Sequence, residues 1–149
     1  MTAVVLVLVA GVSVPLLAPR YRAYQVRAAA WQVAGDLRLA RQRAVTTRNP
    51  YRFVFVDALA HVDHDTYAIH SGVTQGGVQV WVQEMPPAPG TRKGLGGSIH
   101  IDAKSTPRSR AITFSPNGSV VPTGTIQLTG PGGLTLSVTV DQAGRVQVN

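Results

Sequence analysis

The 149 residues are enough for one domain plus an appendage, and too few for two independent cores. Cysteine is absent, which excludes a disulfide framework and any thiolate metal site, in an oxidising or a reducing compartment alike. The net charge of +7 is unevenly placed: Arg20, Arg22, Arg27, Arg38, Arg41, Arg43, Arg48 and Arg52 face only Asp36, while acids and bases balance over the rest. Such a basic stretch points to anionic lipid, an acidic partner subunit or nucleic acid, with a solvated helix face as the plain alternative.

The chain opens on an uncharged apolar run, residues 3–18, which contains Val4, Val5, Leu6, Val7, Leu8, Val9, Val12, Leu16 and Leu17. At ~1.5 Å per residue a helix of that length spans about 24 Å, short of the ~30 Å hydrocarbon core. Nothing basic precedes it, so it lacks the start of a cleaved secretory signal. A buried core helix is the alternative, but the run is apolar on every face and the sequence behind it is too polar to wrap it. We therefore expect a stem or transmembrane segment over 1–24, packing in a membrane or filament. Arg20, Arg22 and Arg27 directly follow the run, which by the positive-inside tendency would leave the rest in the cytoplasm. A true start upstream of Met1 would resolve both the shortness and the orientation.

The apolar run continues without a linker into residues 21–46, which hold no proline and a single glycine, Gly35, among many helix-favouring residues. Val26, Ala30, Val33, Leu37, Ala40 and Ala44 recur at steps of four and three, one apolar stripe expected to pack on a sheet. Arg27, Trp31, Arg38, Arg41 and Val45 fall on a neighbouring face. Trp31 is expected to fill the helix–sheet seam while the arginines keep their heads in water; the other reading is an arginine ribbon that binds phosphates by charge and stacking. Asn49-Pro50 ends the helix, since a residue before proline disfavours the α region. The helix is thus expected over 25–48.

From residue 50 the pattern changes to strands and turns, expected at Tyr51–Val56, 66–70, 78–83, 98–101, Ala111–Phe114, 125–128, 134–140 and 145–148. Alternation in Val78-Gln-Val-Trp-Val-Gln83 and Leu134-Thr-Leu-Ser-Val-Thr-Val140 gives one buried and one wet face. Ser115-Pro-Asn-Gly118 and Asp141-Gln-Ala-Gly144 read as turns, and 85–97 as a long loop rich in proline and glycine.

Candidate chemistry is sparse. His61, Asp63, His64 and Asp65 could chelate a divalent ion, but their spacing matches no defensible site and a solvated loop is the simpler reading. The glycines around Arg92 and Lys93 lack the order of a phosphate-binding loop, and His70-Ser71 lacks a nucleophile elbow. Asn117-Gly-Ser119 fits a glycosylation sequon, though the turn explains it better. We expect no catalytic residue, no cofactor, no metal and no small-molecule substrate.

Gly35-Asp-Leu-Arg-Leu-Ala-Arg-Gln-Arg-Ala-Val-Thr-Thr-Arg-Asn-Pro50 resembles the stem-helix signature of the GspH/FimT family of minor pseudopilins. Ile112-Thr-Phe-Ser-Pro-Asn-Gly118, Thr125-Ile-Gln-Leu128 and Val138-Thr-Val-Asp-Gln-Ala-Gly-Arg-Val-Gln-Val148 resemble its closing strands and terminal Gly-Arg motif. The family's basic leader and its Gly-Phe-Thr-Leu-x-Glu segment are not matched, so Met1-Thr-Ala-Val-Val looks like the continuation just after that glutamate. The resemblance implies a pilin-like α+β fold, with a long N-terminal helix, membrane-spanning in front and amphipathic behind, packed on an antiparallel β-sheet head over 50–149. It further implies a periplasmic domain over 25–149, single-pass anchoring in inner-membrane lipid, and other pseudopilins or pilins of the same filament as partners. Some FimT-like members are associated with DNA uptake, which makes Arg108, Arg110 and Arg145 candidate DNA contacts.

Overall fold

A computed structural model describes residues 2–56, 65–87, 92–96, 98–102 and 104–149, with side chains from Arg20 onward. Among these residues one helix, α1 (Thr2–Thr47), is followed by nine strands. They are β1 (Tyr51–Val56), β2 (Thr66–Gln75), β3 (Val78–Met85), β4 (Lys93–Gly94), β5 (His100–Ile101), β6 (Ala111–Phe114), β7 (Gly124–Thr129), β8 (Thr135–Val140) and β9 (Val146–Val148). The helix runs through the junction between the apolar run and the basic stretch without a break. It ends at Thr47, where Arg48 takes a left-handed conformation at φ 57° just before Asn49-Pro50.

The head is two antiparallel sheets rather than the single one expected. The first has the order β3-β2-β1-β6, with β4 pairing the start of β2 on the same edge that β3 occupies further along. The second has the order β5-β7-β8-β9. Alternation explains how both close on a common core. In β1, Tyr51, Phe53 and Phe55 are buried while Arg52, Val54 and Val56 between them face the other way. In β7, Gly124, Ile126 and Leu128 point inward in the same manner.

Helix α1 touches β1 and β6 of the first sheet and β7, β8 and β9 of the second. Val26, Ala30, Val33, Leu37, Ala40 and Ala44 are all buried, and Ala29 and Ala34 join them, so the inward face is wider than one stripe. Most of these residues are alanine, which lets the backbones of both sheets approach closely. The approach is tightest at Gly130, where an added Cβ would lie 2.0 Å from Val26 Cγ2. Trp31 does not fill the seam as expected: it is 58% exposed. The seam is already occupied by its smaller neighbours, and the indole lies on the shoulder with the Arg38 guanidinium 5.7 Å from its ring centroid.

Polar contacts fix how the helix sits. Tyr67 donates to Asp36 at 2.5 Å, Lys93 Nζ reaches the same carboxylate at 2.7 Å, and Gln32 Nε2 donates to the Tyr67 hydroxyl at 2.9 Å. Arg43 pairs with Glu84 at 2.9 Å, and the Tyr51 hydroxyl shares that carboxylate. The two sheets are tied to each other as well. Asp65 accepts from the Ile101 amide and meets His100 Nδ1, each at 2.6 Å. At the other end a Phe114–Val120 bridge and the Val120 amide bonded to the Gln142 carbonyl join the sheets.

Several sequence expectations shift in detail. The strand expected at 66–70 runs on to Gln75, and that at 78–83 to Met85. Within the stretch expected to be a loop, Lys93 and Gly94 form β4. The side chains of Val4, Val5, Leu6, Val7, Leu8, Val9, Val12, Leu16 and Leu17 lie outside the described residues. Among the described residues no helix is long and apolar enough to cross a membrane.

Leu37 is fully buried, so Leu37→Ala should lower the unfolding free energy by about 2–5 kcal/mol in urea titration. Trp31→Ala should cost less than about 1 kcal/mol, because only an exposed stacking contact is lost. Burial first, and then the bond to Asp36, push the Tyr67 phenol well above its usual value of 10.0. The fold thus favours the neutral phenol, and its contribution is intact below pH 10 and is lost as pH rises above it. Unfolding titrations from pH 9 to 11 should show Tyr67→Phe flattening the alkaline decline, the difference in slope approaching roughly 1.4 kcal/mol per pH unit only above pH 10.

Candidate functional site

For a rod that carries a head, the surfaces that matter are those the rod leaves exposed and those by which the head grips it. Just past the apolar run, Arg20, Tyr21, Arg22, Tyr24 and Arg27 are exposed, with Tyr21 at 63% and Tyr24 at 70%. The two tyrosines line an open cleft of about 300 Å³ together with Gln25, Ala28, Ala29, Gln32, Leu95, Gly96 and Ile99. Aromatic rings and arginines beside an apolar segment form the residue set that occupies a bilayer interface. The sequence reading noted the arginines and missed the two tyrosines, although their spacing of three within an arginine-rich turn was visible.

Further along, the arginines are committed to the head. Arg38 Nη2 donates to the Val146 carbonyl at 3.1 Å and Arg41 Nε to the Gly118 carbonyl at 3.3 Å. These contacts draw the terminal Gly-Arg turn against the helix. An added Cβ at Gly144, whose φ is +75°, would lie 2.4 Å from the Gly118 oxygen and 2.7 Å from Arg41 Nε. A second open cleft of about 350 Å³ runs along the outside of this grip, lined by Arg38, Arg41, Gln42, Val45 and Thr46.

The three arginines considered for DNA sit on two different segments. Arg110 precedes the first residue of β6, with Arg108 two residues before it, whereas Arg145 lies in the turn beyond the far end of that strand. Arg145 Nε is paired with Asp141 at 2.8 Å. The Arg145 backbone amide, then its guanidinium, hold the Asp141 carboxyl below the usual carboxylate range.

Of the His/Asp cluster weighed for metal, His61, Asp63 and His64 lie outside the described residues. Asp65 serves as the sheet-to-sheet tie to His100 and Ile101. Among the described residues no group of three potential ligands is brought together. Ser71 is buried on β2 with its hydroxyl 3.5 Å from the Val82 carbonyl. Asn117 Oδ1 accepts from the Ser119 amide and hydroxyl, closing the turn. Lys93 is bound to Asp36.

Comparison with known proteins bears on these surfaces together. Residues 29–144 match the family described as Type II transport protein GspH. No curated protein sequence matches the chain. Among solved structures, the type IV minor pilin FimU of Pseudomonas aeruginosa is similar over 85% of this chain and 89% of its own, at 24% identity and TM-score 0.59. The solution structure of E. coli GspH is similar over 85% and 88%, at 15% identity and TM-score 0.60. The minor pseudopilin EpsH from the Type 2 Secretion System of Vibrio cholerae is similar over 84% and 96%, at 14% identity and TM-score 0.61. At these identities the structures establish a shared pilin-like α+β fold, and the family match covers most of the chain. The protein therefore belongs to the GspH family of type II transport proteins and has a pilin-like α+β fold.

Proposed function

We propose that this chain is a minor subunit of a type II secretion pseudopilus or type IV pilus, held in the inner membrane by residues 3–18 and incorporated into the filament through the same helix. Its head stands in the periplasm, and its partners are the other pilins of that filament. The observation that carries this reading is the continuity of α1 from Thr2 to Thr47, with exposed Tyr21, Tyr24 and arginines at the point where the apolar run ends. A helix with no hinge between run and head transmits the position of one to the other. An apolar run can exchange lipid for neighbouring apolar stems at little solvation cost.

The alternative of a DNA-binding subunit in an uptake apparatus draws no such support. Arg108 and Arg110 stand at the opposite end of β6 from Arg145, and the Arg145 guanidinium is engaged by Asp141.

Membrane flotation tests the proposal. The full chain should float with vesicles and resist extraction by salt and by alkaline carbonate. Val9→Arg, near the middle of the apolar run, should shift it toward the soluble fraction, since a central arginine costs about 2.5–3.5 kcal/mol on insertion. The sequence holds no cysteine, so a single cysteine introduced at Val12 reports neighbours cleanly. It should cross-link to co-expressed pilins of the same system. A full chain that stays dispersed without detergent would overturn the reading.

A further inference from the structure

The face of the first sheet turned away from the helix carries positive charge that the assembly reading does not use. Strand alternation places Arg52 of β1, His70 of β2 and Gln83 of β3 on this face, and the register makes them direct neighbours across the ladder. Arg92 immediately precedes β4, which pairs with the first residues of β2. All four are half-buried. The Arg52 guanidinium carbon stands 4.5 Å from the centroid of the Trp81 ring, which occupies the flat side of the cation and leaves its N–H edge to point sideways.

Among the described residues, Arg52 Nε, Arg92 Nη1 and His70 Nδ1 are buried atoms without a hydrogen-bond partner. Buried guanidinium and imidazole nitrogens are ordinarily satisfied, so three orphans on one stretch of sheet call for a physical cause. Electrostatics selects the sign of the missing group. Burial first, and then Arg52 and Arg92, push His70 below its usual value, so two cations converge on a neutral ring. Like charges on two guanidiniums repel each other, and an oxyanion placed between them reverses that repulsion while accepting the idle N–H bonds.

We propose that Arg52, Arg92 and His70 form a binding site for a compact oxyanion, a carboxylate or phosphate group, with Trp81 holding the Arg52 fork in place. The two guanidiniums grip the oxygens, and His70 adds a third hydrogen bond through Nδ1–H. The site is independent of the stem and of the Arg108, Arg110 and Arg145 region.

The chain has 2 tryptophans, and Trp31 lies on the exposed shoulder of the helix, so Trp31→Phe leaves Trp81 as a single reporter against the Arg52 cation. The full chain in a neutral detergent is titrated with sodium phosphate and, separately, with sodium acetate, at ionic strength held constant with sodium chloride. Trp81 emission should change saturably with at least one of the two. Saturation by phosphate alone identifies a phosphate site, and saturation by acetate alone a carboxylate site. Arg52→Gln and Arg92→Gln should each raise the midpoint roughly tenfold or more, the loss expected for one charge-assisted arm, while Arg145→Gln leaves it unchanged. Arg92 lies outside the strand ladder, so its variant tests the site even where Arg52→Gln fails to fold. A response that does not saturate with either salt, or a midpoint indifferent to Arg92→Gln, overturns the proposal.

Discussion

The whole head depends on the small-residue face of α1. Ala29, Ala30, Ala34, Ala40 and Ala44 let two sheets close on one helix, and Val26, Val33 and Leu37 fill the gaps between them. Phe53, Phe55 and Ile112 of the first sheet and Ile126, Leu128 and Val138 of the second belong to one cluster with all of these helix residues except Val26. The helix is therefore the centre of the core and not an arm attached to a finished domain. A larger residue at any of the alanines would push apart two sheets at once, which is why overpacking here has no soft direction in which to relax.

Polar contacts then decide orientation more than stability. Asp36 joins β2 and β4, Arg38 joins β9, Arg41 joins the turn after β6, and Arg43 joins β3. Partly exposed pairs of this kind contribute about 0–1 kcal/mol each, whereas each large buried apolar side chain contributes several times that. An apolar face alone would tolerate a slide of one turn along the seam. Five directional contacts from four residues within about two turns of the helix, reaching four strands and one turn of the head, admit only one rotation and one register.

Local patterning made much of this legible in the sequence. The helix stripe, the period-two strands and the turns at Asn117 and Gly144 follow from neighbours in the chain, where sequence and structure share one periodicity. What escaped was long-range. The β4 pair is only Lys93 and Gly94, held by a β2 strand and an Asp36 far away in sequence, so no window could display it. Division of the strands into two sheets depends on which edges meet, and the Asp65–His100 tie that helps define it uses a carboxylate that the sequence grouped with His61, Asp63 and His64 as a metal ligand. Trp31 misled because size favours burial, yet its position on the shoulder, beside a seam already filled by alanines, outweighs its apolar area. The idle nitrogens of Arg52, His70 and Arg92 were invisible for the same reason: β pairing brings them together, and spacing along the chain does not.

The seam also determines what the stem can do to the head. Buried contacts run from Val26 to Ala44, about 27 Å of helix at 1.5 Å per residue. A rod gripped over that length cannot pivot within the head without opening both sheets, so tilt and rotation of the stem become tilt and rotation of the head. The arginines divide in the same way. Those on the gripped length, Arg38, Arg41 and Arg43, spend their donors on carbonyls and a carboxylate of the head. Arg20, Arg22 and Arg27, ahead of most of it, are left facing outward. The basic excess so evident in the sequence is thus two different things: internal struts where the helix is held, and an exposed collar where it leaves the head.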